Sequence, residues 1–149
     1  VYAMRVTEPM TFDEYSRDPR FESKKPYRNG SRRQSCGDNI YFRDTAGLAW
    51  QQRDSFHSLP DGSLNPDHVA RDTSVNRVLI SNEFIYFGGE GPEFPNDLRD
   101  QRGRALCKTG IGLTTFDDAQ LVANFEHWIL SLAVSGYQGA PFEWLALRR

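Results

Sequence analysis

Cysteine, histidine and methionine are all scarce in this chain: two, three and two residues among 149. Cys36 and Cys107 are too few for a disulfide framework and have no metal-ligand spacing, so they read as free thiols in a reducing cytoplasm. His57, His68 and His127 enter no HxxxH or HxE pairing, and no CxxC accompanies them, which argues against a zinc enzyme. Long apolar runs are missing too. Nothing approaches the roughly 20 consecutive apolar residues of a transmembrane helix, and no secretory signal opens the chain, so a membrane partner is not expected. Nor is there an excess of one charge: 18 basic residues stand against 20 acidic ones, a formal net charge of −2. That balance excludes a bulk polycation. No repeat, low-complexity linker or cofactor fingerprint interrupts the chain, and its size fits one domain, 1–149. Because it begins at Val1, already in a strand-like stretch, the start of the natural domain is expected to lie upstream.

Within this balanced composition the cations are unevenly placed. Seven of the 18 lie between Arg17 and Arg33 (Arg17, Arg20, Lys24, Lys25, Arg28, Arg32 and Arg33), against only Asp18 and Glu22. Such a patch attracts phosphates and other anions. Tyr27 sits inside it, and it runs into Gly37-Asp38-Asn39-Ile40-Tyr41-Phe42, an aromatic-rich strand. Cation beside aromatic suits a nucleotide: charge for the phosphate and a ring face for the base. Lys24, Lys25, Arg28, Arg32 and Arg33 are the phosphate candidates, Tyr27, Tyr41 and Trp50 the stacking candidates, and Asn39 or Asp38 the readers of a base edge. Arg104 and Lys108 form a second, smaller basic cluster. It is not a Walker A loop, because Lys108 follows Cys107 and not glycine.

The pattern predicts short strands over 1–6, 39–43, 48–51, 77–80 and 84–87. Thr11 and Glu14 have capping-box spacing for a short helix over 12–17, which Asp18-Pro19 should end. Residues 18–36 and 55–76 read as loops, with Asp61-Gly62 and Asn65-Pro66 as turn dipeptides. Leu121, Val122, Phe125, Trp128, Ile129 and Leu132 recur at helical spacing, with Thr115 and Asp118 as N-terminal capping candidates and Gly136 as a C-terminal stop. The expected fold is α+β: a small, strongly curved or partly open antiparallel β-barrel with a long C-terminal amphipathic helix.

Other chemistry is thinly marked. Asp61, Ser63, Asn65 and Asp67, with Asp72 eleven residues after Asp61, imitate the spacing of a calcium loop, but Pro66 occupies the position where that loop needs glycine, and its last ligand should be a bidentate glutamate. Asp54 and His57, with Glu90 in the glycine-rich run 88–91, are weak candidates for acid–base groups of a transferase or hydrolase. Residues adjacent in sequence seldom face each other correctly, so no catalytic set is assigned.

Several linked segments together resemble a known family. They are Val1-Tyr2-Ala3-Met4-Arg5-Val6-Thr7-Glu8, Phe12-Asp13-Glu14-Tyr15, Asp18-Pro19-Arg20-Phe21, Lys24-Lys25-Pro26, Gly37-Asp38-Asn39-Ile40-Tyr41, Pro60-Asp61-Gly62, Asp72-Thr73, Val78-Leu79-Ile80-Ser81 and Phe84-x-Tyr86-Phe87-Gly88-Gly89-Glu90-Gly91-Pro92. Their order is similar to that of the second type of nucleotide-modification-associated domain, found in bacteria and their phages. The resemblance implies a role in systems that modify nucleotides or sense modified ones, and a relationship to PUA-like and EVE-like barrels that hold a modified base. An upstream strand with a Gly-Asp-Trp-like segment, part of the family pattern, is missing from this chain. The leading expectation is a non-catalytic module that binds a nucleotide or a modified base in nucleic acid. The alternatives are a nucleotide-modifying enzyme and a phage factor that engages a host protein. The oligomeric state is not legible.

Overall fold

A computed structural model describes residues 2–44, 47–89, 91–107 and 113–141. The chain divides into two compact units, Val6–Asn82 and Val1–Arg5 with Glu83–Arg149.

In the first of these, β2 (Glu8–Met10) pairs antiparallel with β5 (Val78–Ile80), and β3 (Tyr41–Arg43) with β4 (Trp50–Gln52). Helix α1 (Phe12–Arg17) begins at the expected capping box: Thr11 Oγ1 accepts from the Glu14 amide, and the Glu14 carboxylate accepts from the Thr11 amide. It ends before Pro19, where a 3-10 segment, Pro19–Lys24, follows. Two short helices occupy the stretches expected to be loops: α2 (Arg32–Ser35) and α3 (Pro66–Asp72). In α3 the dipeptide Asn65-Pro66 is a helix start. Asn65 caps the amides of Asp67 and His68, and proline takes the first turn, where its missing N–H costs nothing. Ile40, Tyr41 and Val69 form the buried cluster, with Phe12 and Trp50 packed against it.

The basic loop is closed at its neck. The Asn39 amide donates to the Lys24 carbonyl at 2.9 Å, and the Tyr27 amide donates to the Gln34 carbonyl at 2.9 Å. The two arms cross so closely at Gly37 that a Cβ there would lie 2.3 Å from the Lys24 carbonyl oxygen. Only glycine fits that crossing.

In the other unit β6 (Glu83–Tyr86) is central, antiparallel to β1 (Tyr2–Arg5) and parallel to the two-residue β7 (Gly136–Tyr137). Ile85 is buried, while Phe84 and Tyr86, two residues apart on one face, both meet the Tyr137 ring. Helix α4 (Ala119–Ser131) is the long amphipathic helix expected near the C-terminus. Asp118 caps it by accepting from the amides of Gln120 and Leu121; Leu132 ends it, and Gly136 lies beyond, in β7.

The α+β class stands, but the barrel does not. Among the described residues the strands form three separate open sheets of three, two and two strands, none of them curled into closure. The reason is length. Strands of two to four residues make too few ladder bonds to pair along both edges. Turns and helices, with Pro9 inside β2, interrupt them before a common register can form.

Candidate functional site

The structure sorts the basic patch by partner. Arg20 grips Glu8 through both guanidinium Nη atoms and also contacts Asp18, Lys25 pairs with Glu22, and Arg28 pairs with Asp54. Arg17, Lys24, Arg32 and Arg33 have no ion partner among the described residues. Pairing at the surface contributes little stability. Its effect here is to divide the patch into cations already engaged and cations open to an incoming anion.

One of the open cations, Lys24, lies on a groove of about 330 Å3 formed between α1, the 3-10 segment and β5. Its walls include Phe12 and Phe21 on one side and Val78 and Ile80 on the other. Arg77, exposed and without an ion partner among the described residues, brings a second cation. Asp38 brings a carboxylate. Its Oδ1 accepts from the Tyr15 hydroxyl at 2.7 Å, and its Oδ2 has no protein donor among the described residues. Burial, reinforced by the Asp38 bond, pushes the Tyr15 phenol far above its ordinary pKa, so it stays a donor. The Asn76 side chain fixes the groove's two sides together: its Oδ1 accepts from the Phe12 amide at 3.1 Å. A wider depression on the β3–β4 hairpin, about 660 Å3, is lined by Arg17, Phe42, Arg43, Asp44 and Gln51.

The other sequence candidates are placed as follows. Asn39 is only 1% exposed. It donates to the Tyr15 and Phe21 carbonyls, and its Oδ1 accepts from Arg53, whose guanidinium also bonds Ser16 and lies over Phe42. Trp50 packs edge-on against Phe12 and beneath Arg43. Tyr27 is exposed on the basic loop, and Arg32 and Arg33 are exposed on α2. Arg28 reaches the 54–56 loop, bonding Asp54 and the Ser55 carbonyl and lying 5.9 Å from the Phe56 ring centre. Arg104, in the other unit, bonds the buried Asp100 at 2.6 Å and covers Phe116. Lys108 and Glu90 lie outside the described residues.

Tyr41 and His57, proposed separately from the sequence, are brought together, with Asp72 between them. Asp72 Oδ2 lies 2.6 Å from the Tyr41 hydroxyl and 2.7 Å from His57 Nδ1, and its Oδ1 accepts from Arg71 Nε at 2.7 Å. The His57 and His68 rings meet edge to face at 5.2 Å. Among the described residues no three of His, Cys, Asp and Glu converge as metal ligands. Sequence reasoning missed Phe21 and Arg77, and it marks Asp72 only as the last position of the calcium-loop imitation, not as a partner of His57. Asp72 could have been found through α3, where His68 and Asp72 stand one helical turn apart on one face. No pattern marks Phe21 or Arg77 beforehand, since only the pairing of β2 with β5 sets the groove's second wall.

A protein-family comparison over residues 1–148 matches a family described as nucleotide modification associated domain 2. No curated protein and no solved structure matches the chain.

Proposed function

We propose, from the premise that this chain belongs to the nucleotide modification associated domain 2 family, that it is a binding module for a nucleotide or a modified base, serving nucleotide or DNA modification in bacteria or phages. The observation that carries the reading is the groove, where Asp38 and the cations Lys24 and Arg77, without an ion partner among the described residues, line the same apolar cleft. A carboxylate held by a neutral phenol accepts from the amino and imino N–H groups of a base edge. Lys24 and Arg77 take the phosphate, and Arg77 is able to do so bidentately. Phe12, Phe21, Val78 and Ile80 exclude water from the base. The open cations of the neighbouring loop, Arg32 and Arg33, add a local attraction for the anion.

Calorimetric titration with free nucleotides and with short oligonucleotides, modified and unmodified, at low salt tests this. The wild-type domain is expected to bind at least one of them. Asp38→Asn should weaken bases that offer N–H donors by about tenfold, the size of one good hydrogen bond to a charged group. Lys24→Ala combined with Arg77→Ala should weaken all ligands alike and flatten the salt dependence. Failure of every ligand to bind the folded domain at low salt overturns the reading.

A further inference from the structure

The network around Asp72 stands apart from the groove and has a chemistry of its own. An ionised carboxylate only accepts hydrogen bonds, so each neighbour of Asp72 must donate. Partial burial works to raise the Asp72 pKa, but the bonds from Arg71, Tyr41 and His57 outweigh it and hold the group well below the usual carboxylate range. Burial and the Asp72 bond together push the Tyr41 phenol up, so its proton stays on oxygen and is directed to Asp72. His57 must then carry its proton on Nδ1, which leaves Nε2 of the neutral ring with a free lone pair. The 3.0 Å separation between the Tyr41 oxygen and His57 Nδ1 is a contact between two donors that share one acceptor. A carboxylate on Nδ1 holds an imidazole in the tautomer that takes up a proton and stabilises the imidazolium that results.

Two further features point to a substrate position here. His68 Nδ1 is a buried nitrogen without a hydrogen-bond partner among the described residues, and its ring abuts His57; Gln52 stands opposite Tyr41 in the hairpin, with its side chain against the Tyr41 phenol. One guanidinium group belongs to the cluster, that of Arg71, paired with Asp72 and 63% exposed in its side chain.

We propose that His57 is the general base of a hydrolytic centre for phosphoesters, with Asp72 and Tyr41 as positioning residues and Arg71 as the phosphate contact. In this step Nε2 takes a proton from water as the water oxygen bonds to phosphorus. The P–O bond to the leaving group breaks, and that oxygen keeps the electron pair and takes a proton from solvent. The imidazolium returns its proton to solvent, so the net change is one water consumed and one ester cleaved to an acid and an alcohol.

The test uses the folded chain with p-nitrophenyl phosphate and bis(p-nitrophenyl) phosphate as probes. Wild-type protein should cleave at least one of them. His57→Gln should lower kcat by about 100-fold or more, the usual worth of a general base, with its thermal unfolding unchanged. Asp72→Asn should lower kcat more than it alters KM. Added imidazole should restore turnover to His57→Ala, a rescue that a purely structural histidine would not show. Nitrogen-15 NMR of the wild type should find the His57 proton on Nδ1. Absence of turnover of both esters, undiminished turnover in His57→Gln, or a proton on Nε2 in the neutral ring would each overturn the proposal.

Discussion

Replacing Asn39 by alanine separates a side chain that the fold uses from one that a ligand uses. Asn39 is almost wholly buried, and its amide donates to the Tyr15 carbonyl at 3.2 Å and the Phe21 carbonyl at 3.3 Å. Those bonds tie the end of α1 and the 3-10 segment to the strand that follows the basic loop. The substitution leaves both carbonyls without this donor, each at a net cost of about 0.5–1.5 kcal/mol, or more where water cannot reach. Arg53 loses less. It keeps the Asn39 backbone carbonyl at 3.1 Å and Ser16 Oγ at 2.9 Å. With the small cavity left behind, the expected loss is about 3 kcal/mol. For a chain of this size that lowers Tm by roughly 6–12 °C. Urea and thermal unfolding followed by far-ultraviolet circular dichroism measure it. Asn39→Asp should be at least as damaging, because it removes both donors and sets a carboxylate against two carbonyl oxygens. A variant within about 0.5 kcal/mol of wild type that had lost nucleotide affinity would refute this reasoning and return Asn39 to base recognition.

Two further expectations follow from burial and charge. Leu121→Ala, at 2% exposure, should cost about 2–5 kcal/mol, whereas Val122→Ala, at 45%, should change stability by less than about 1 kcal/mol; paired thermal melts decide whether α4 is oriented as described. Asp72 has its folded pKa depressed, so its contribution to stability is complete above the unfolded Asp value of about 3.9 and is lost as pH falls below it. Urea midpoints measured between about pH 6 and pH 3 should therefore fall more steeply for wild type than for Asp72→Asn.

The parts of the fold written in neighbouring residues were legible in the sequence. Thr11 and Glu14 announced α1 through a capping box, and the spacing of Leu121, Phe125 and Trp128 announced α4. Helix α3 is not legible because Asn65-Pro66 has the same composition as a turn and as a helix start, and seven residues hold too little apolar periodicity to decide between them. Short strands suggest a barrel because closure hides their edges. The sheets stay open because their strands end after a few residues, a fact of register and not of composition. The basic patch was plain as charge. Which cations remain open depends on where Glu8, Glu22 and Asp54 arrive, and only tertiary placement tells that. Likewise His57 was noticed beside Asp54, its sequence neighbour, while the carboxylate that meets it is Asp72, 15 residues away.

The crossing at Gly37 has a consequence for how such a domain can diversify. Because the loop from Lys24 to Asn39 is tied at its base by backbone bonds, its tip around Asn29-Gly30 is decoupled from the groove below. Lengthening the tip adds only closure entropy, about 0.6 kcal/mol per doubling of loop length. Asp38 and Lys24, at the neck, would keep their positions. Residues added or exchanged at the tip could thus retune attraction for different anions while the groove floor stays fixed, so that surface charge and fold stability vary as separate traits.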